Sequence, residues 1–148
     1  MSLPLAAVLI GVLLFSESLE TTAWSAETGP VTQWEDLLAG MMLERVSSHS
    51  SGNGGGFTAT SVWHLCRDGS FRYSHSSSAS VEAPGSLGSS TSQISQTGRW
   101  SVAVKGGEAL LVLRHSNGTQ TLYPITYDGE NTSLDGERVS RVPSKQCR

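Results

Sequence analysis

Gly107, Gly118 and Gly129 recur every 11 residues, the spacing of one short strand plus one tight turn. The residues between and before them alternate with a period of two. Trp100, Val102 and Val104 share one face, Ala109–Leu113 is a central apolar strand, and Tyr123, Ile125 and Tyr127 alternate again. Leu134, the Asp135-Gly136 turn and Arg138–Val142 finish the series. Upstream, Phe57, Ala59, Ser61, Trp63 and Leu65 alternate with Thr58, Thr60, Val62, His64 and Cys66, giving one apolar and one mostly polar face. Arg67-Asp68-Gly69 makes a turn, and Phe71 and Tyr73 continue on one face of the next strand. With Met41–Ser48 as a first strand, the pattern predicts an all-β chain: a consecutive antiparallel meander of about seven or eight strands. Such a meander abolishes its exposed edges by closing into a small up-and-down barrel. An open or stacked sheet is the other arrangement the pattern allows.

Two stretches depart from this rhythm. Thr32-Gln33-Trp34-Glu35 matches a capping box, in which Thr and Glu each satisfy a backbone N–H of the other. Trp34, Leu37, Leu38 and Met41 then fall on one helical face before Gly40 stops the turn, so a short N-terminal helix of roughly two turns is predicted. Ser74–Thr97 is rich in Ser and Gly, with Val81, Leu87 and Ile94 as its few anchors. Its middle, residues 76–92, reads as a mobile loop with hairpin strands at either edge. Ser50–Gly56 reads as a second flexible segment.

The first 25 residues carry a different signal. Leu3–Phe15 is almost uninterrupted apolar sequence, the length of a signal-peptide core and short for a bilayer span. Ala23-Trp24-Ser25 places small residues at −3 and −1 of a cut before Ala26. The expectation is a leader at 1–25 and a single domain at 26–148, periplasmic or secreted, with no membrane association after cleavage. An uncleaved anchor and a buried core helix are the alternatives. Formal charge is −3, and setting aside Glu17 and Glu20 leaves 11 acids against 10 scattered bases. That balance does not recommend nucleic acid as a partner. Export changes the reading of Cys66 and Cys147, the only two cysteines. Their spacing fits neither a redox nor a zinc motif, and in an oxidising compartment a disulfide is the natural state. Two free thiols are the alternative.

Leu65-Cys66-Arg67-Asp68-Gly69-Ser70-Phe71, then Gly98-Arg99-Trp100, Leu111-Val112-Leu113 and Asn117-Gly118 together resemble small exported bacterial lipocalin-like proteins. The resemblance covers most of residues 40–142. It implies a calycin-type antiparallel barrel with an inward Trp sealing one end, a role that falls on Trp100. Exported bacterial metalloprotease inhibitors share this small barrel, and some occupy the enzyme with an N-terminal segment. Glu27–Val31 is the stretch in that position here.

Catalytic chemistry finds little support. His64 and Cys66, with His75 across the hairpin, have the residue types of a metal site, but no carboxylate or second free Cys completes the set. No metal or other cofactor is assigned. Many serines make a Ser–His–Asp grouping easy to draw, yet there is no nucleophile elbow to hold one. Gly52–Gly56 lacks the Lys-Ser/Thr and helix of a phosphate loop. Asp135 and Glu137 flank a turn and read as solvated, and the acceptor patterns at Asn117 and Asn131 coincide with turns that want Asn anyway. The chain is therefore expected not to be an enzyme. Its candidate site is aromatic: Trp63, Phe71, Tyr73, Trp100, Tyr123 and Tyr127 fall on the faces assigned inward. They either fill the barrel or line a cavity for an apolar ligand. The first expectation is a protein-interaction module, a protease inhibitor or accessory subunit using Gly52–Gly56 and Ser76–Ser92. The alternative is a carrier of a small apolar ligand.

Overall fold

The computed structural model describes residues 28–147 apart from position 53; the leader at 1–25 lies outside the described residues. The chain runs α1 (Thr28–Leu38), β1 (Met41–Ser50), β2 (Gly56–Leu65), β3 (Ser70–Ala83), β4 (Ser86–Lys105), β5 (Glu108–His115), β6 (Gln120–Tyr127), β7 (Thr132–Leu134) and β8 (Glu137–Pro143). The eight strands form one closed antiparallel barrel in sequence order, β8 pairing back onto β1. The period-two pattern thus has its predicted consequence. Carrying the registers from Pro143 through Met41, Leu65, Phe71, Gly98 and His115, and on around the barrel, arrives at position 131 on the line of β8. That stagger of 12 residues means the strands cross the barrel axis steeply, so long neighbours overshoot one another.

The core is the inward face of the alternation. Leu43, Trp63, Leu65, Phe71, Trp100, Val102, Leu111, Leu113, Ile125, Leu134 and Val139 are buried together. One end of the barrel is closed by α1, whose Val31, Trp34 and Leu38 pack against this cluster at the i, i+3, i+7 spacing of a helical face. The helix begins earlier than the capping-box pattern suggests. Thr32 lies inside it, and Pro30 sits in the first turn, where a missing N–H goes unnoticed. Gly40, at φ +80°, turns the chain from α1 into β1, and its N–H donates to the Leu65 carbonyl at 2.6 Å.

At the same end, Cys66 and Cys147 form a disulfide that holds the C-terminal strap under the β2–β3 turn. Ser144 completes the strap: its N–H donates to Gly40 O at 2.8 Å, and its hydroxyl lies 2.8 Å from His64 Nδ1.

One expectation needs correcting. Residues 76–92, read as a mobile loop, are paired strand. β3 and β4 stay in register from Ser70↔Arg99 to Ala83↔Ser86, turning at Pro84-Gly85, where Gly85 has φ +87°. Proline fixes the first turn position and glycine accepts the positive φ of the second.

Candidate functional site

Inside the barrel the aromatic set divides. Trp63 and Phe71 are fully buried and Trp100 nearly so; Tyr73 and Tyr123 are half-buried against the same cluster. Trp63 is the hub. Its ring centroid lies 5.3 Å from that of Tyr73 and 5.7 Å from that of Tyr123, the latter edge-on. The Arg45 guanidinium sits over the Trp63 ring, 5.5 Å from its centroid, and pairs with Glu137 at 2.9 Å. Phe71 packs edge-on to His115 at 5.4 Å. Trp100 donates its indole N–H to the Cys66 carbonyl at 2.8 Å. These contacts are those of a filled core. Tyr127 is the exception. It has the inward parity but lies at the barrel end and is 39% exposed, its hydroxyl donating to Gly129 O at 2.6 Å and its ring under the Arg141 guanidinium. There it borders a shallow cavity of about 300 Å³ with Gln33, Trp34 and Leu37.

The polar groups among these rings are partly engaged. Burial pushes the Tyr123 phenol above its ordinary pKa, and neighbouring Tyr73 adds to the effect. The Trp63 indole N–H faces that phenol without completing a hydrogen bond; with His115 Nδ1 and Thr132 Oγ1 it is a buried polar atom without a partner among the described residues. Ser61 Oγ and His75 Nδ1 are 2.9 Å apart. No described hydrogen bond joins His75 to a carboxylate, so the pair lacks the third member that would orient an imidazole as a base. His64 pairs with Arg72 and His75 with Ser61, which puts the two imidazoles on opposite faces of the wall. Cys66 is consumed by its disulfide. Among the described residues no group of three or more His, Cys, Asp or Glu is placed to hold a metal.

A second candidate region rises beyond the closed barrel, and the sequence pattern did not reveal it. β1 pairs with β8 only over Met41–Glu44, and β4 meets β5 only from Gly98 onward. Past those points β1, β2, β3 and β4 continue as an open four-stranded blade, aligned through rows such as Arg45–Ser61–His75–Ile94 and His49–Phe57–Ala79–Ser90. Among the described residues the blade has two free edges, Arg45–Ser50 on β1 and Leu87–Gln96 on β4. They differ in chemistry. The β1 edge carries Arg45, held by Glu137, and His49. The β4 edge reads Leu-Gly-Ser-Ser-Thr-Ser-Gln-Ile-Ser-Gln, ten residues without a charge or a proline, and every one except Gln96 is exposed.

Hydrogen bonds at the lower end of β4 fix which groups point outward. Trp100 N–H donates across to Gly69 O on the β3 side, and Thr97 O accepts from Ser116 N–H on the other side. Even-numbered residues therefore bond toward β3. The N–H and C=O of Leu87, Ser89, Thr91, Gln93 and Ser95 face the free edge.

Near the blade tip, Phe57 and Val81 are exposed beside a cavity of about 380 Å³ that also involves His49 and Ala79, and Leu87 is 86% exposed. No family model matches the chain, and no curated protein or solved structure matches it either.

Proposed function

We propose that this is an exported, non-enzymatic binding protein of lipocalin-like build, and that its blade engages another polypeptide by adding a strand to the free edge of β4. One observation carries the reading: in a barrel that otherwise closes on itself, β4 leaves a row of backbone donors and acceptors unpaired among the described residues, along a segment, Leu87–Gln96, that contains no charge and no proline. Natural sheets guard such edges with Lys, Pro, bulges or covering segments, and an unguarded one is the acceptor used in strand-addition recognition. Exposed Leu87 and Val81 beside the tip add apolar surface for an added chain to cover. Inhibitor and accessory-subunit roles both fit this mode of contact. Export is supported by the Cys66–Cys147 disulfide, which persists in non-reducing compartments, and by the apolar run at Leu3–Phe15. The alternative, a carrier of a small apolar ligand, needs space that the rings of Trp63, Tyr73 and Tyr123 occupy.

The test is a photo-crosslinking residue in place of Ser89, compared with one in place of Glu108 at the opposite end, both illuminated in the producing cells. Protein adducts from position 89 that are missing from position 108, and that Thr91→Pro abolishes, support the reading. No adduct from position 89 removes it.

A further inference from the structure

Resting on that reading, we infer that the strand added to β4 is the β4 edge of a second copy of this chain, paired antiparallel about a two-fold axis through Thr91. The free segment runs from Leu87 to Ser95 between its outermost edge-facing residues, and its midpoint is Thr91. Only a two-fold at that midpoint uses every outward group of both copies. It sets Thr91 against Thr91, Ser89 against Gln93, and Leu87 against Ser95. All of these residues point their N–H and C=O outward, so each facing pair exchanges both backbone hydrogen bonds of an antiparallel ladder. A shift by one residue would place outward groups opposite inward ones and lose the ladder altogether.

The side chains fit the same register. Leu87 faces the small Ser95, and on the other face of the sheet Gly88 comes opposite Ile94, so each bulky side chain meets a small one. Such pairing leaves room where two sheets continue into one. In a two-fold contact residue i meets residue j and j meets i, and along these edges that brings no charge against a charge, because Leu87–Gln96 contains none. The blade's other edge suits this arrangement poorly: β1 carries Arg45, already engaged by Glu137, and its free run is shorter. The two-fold contact also closes on itself, whereas β4-to-β1 pairing would propagate as an open fibre. The product is a continuous eight-stranded sheet joining two barrels.

Sedimentation of the mature chain across a wide concentration range tests this, with Thr91→Lys, Thr91→Glu and Thr91→Pro beside the wild type. Thr91 is exposed and its N–H is not used toward β3, so the variants are expected to keep the near-ultraviolet signal and thermal midpoint of the parent. The wild type should double its mass with concentration. Each variant should remain at single-chain mass, and mixing Thr91→Lys with Thr91→Glu should restore the doubled mass by placing opposite charges at the axis. A wild type at single-chain mass throughout, a doubled mass that the variants leave unchanged, or no recovery on mixing would overturn the inference. The position-89 crosslinks separate this from failure of the broader reading. Adducts of another protein with no doubled-chain adduct leave strand addition standing and remove the second copy. No adduct at all removes both.

Discussion

The indole N–H of Trp100 donates to the carbonyl oxygen of Cys66 at 2.8 Å, so one side chain on β4 ties the core to the turn that carries the disulfide. The same residue's backbone N–H bonds to Gly69 O, and its ring lies in the buried cluster. Trp100→Ala removes both the packing and the tie. Truncation of a buried Trp costs about 3–5 kcal/mol, a large part of the roughly 5–15 kcal/mol that holds a small domain together. The denaturant midpoint should fall severely. Trp63→Ala should be at least as damaging, because that ring is wholly buried. Trp63→Phe should be milder, since it keeps a ring in the core and the indole N–H it deletes completes no hydrogen bond among the described residues. An unchanged midpoint in Trp100→Ala would place that ring outside the core.

Gly98 faces His115 and Phe71 in the sheet register. A Cβ there would run into the Arg114 carbonyl and come within 2.8 Å of the Phe71 ring. Backbone cannot yield as a flexible side chain does, so Gly98→Ala is expected to lower stability by about 1–3 kcal/mol or more, the range for overpacking. Gly88→Ala, with open space around the position, is the control and should leave the midpoint of the dilute protein almost unchanged. Equal midpoints in the two variants would contradict the close approach at Gly98.

The disulfide joins residues 81 apart in sequence, for which loop-closure entropy alone gives about 4–5 kcal/mol. Measured gains commonly fall short of that entropic limit, so a Cys66→Ser/Cys147→Ser double variant is expected to lose roughly 2–4 kcal/mol. Thiol labelling of unfolded, unreduced protein should find no free sulfur. Detection of two would reject the bridge.

Acid should weaken the same end of the barrel. Burial, helped by the Arg72 charge, lowers the His64 pKa below its ordinary 6.5, so the folded state favours the neutral ring that meets Ser144. A folded value below the unfolded one means the contribution is fully present above the unfolded pKa and is lost as pH falls through the folded one. Stability should therefore begin to decline below about pH 6.5, and His64→Gln should flatten that part of the curve. Asp128 acts in a lower window. The Asn131 and Glu130 backbone N–H groups hold its pKa at about 2, down from 3.8, so its contribution fades only as pH drops from that ordinary value toward 2. A pH–stability curve identical in wild type and His64→Gln would remove His64 from the explanation.

The parts of the fold legible in the sequence are those where one strand face is buried and the other wet. Trp63 and Leu65, Phe71 and Tyr73, and Trp100 to Val104 announce strands because apolar and polar residues alternate there. The blade has water on both faces, so Ser76–Ser92 shows no such contrast and reads as loop. Its strand character comes from pairing along the hairpin, and the available signal was Pro84-Gly85 as a turn between two stretches with Gly88 as their one other breaker. Parity alone assigned Tyr127 inward correctly by face but not by depth, since it ends its strand. The open edge of β4 was not legible at all, because it depends on where β5 begins to pair, a consequence of barrel stagger rather than of any local pattern.

Residue-resolved amide exchange along β4 tests the binding edge most directly. It would be measured first on dilute purified protein and then in a concentrated extract of the producing cells. In dilute solution Gly88, Ser90, Ser92 and Ile94 should be protected by β3, while Leu87, Ser89, Thr91, Gln93 and Ser95 exchange freely. In the extract the second group should slow by an order of magnitude or more, the mark of a strand added along the edge. Odd-numbered amides that are already slow in dilute protein, or equally fast in both conditions, would contradict a strand-accepting β4.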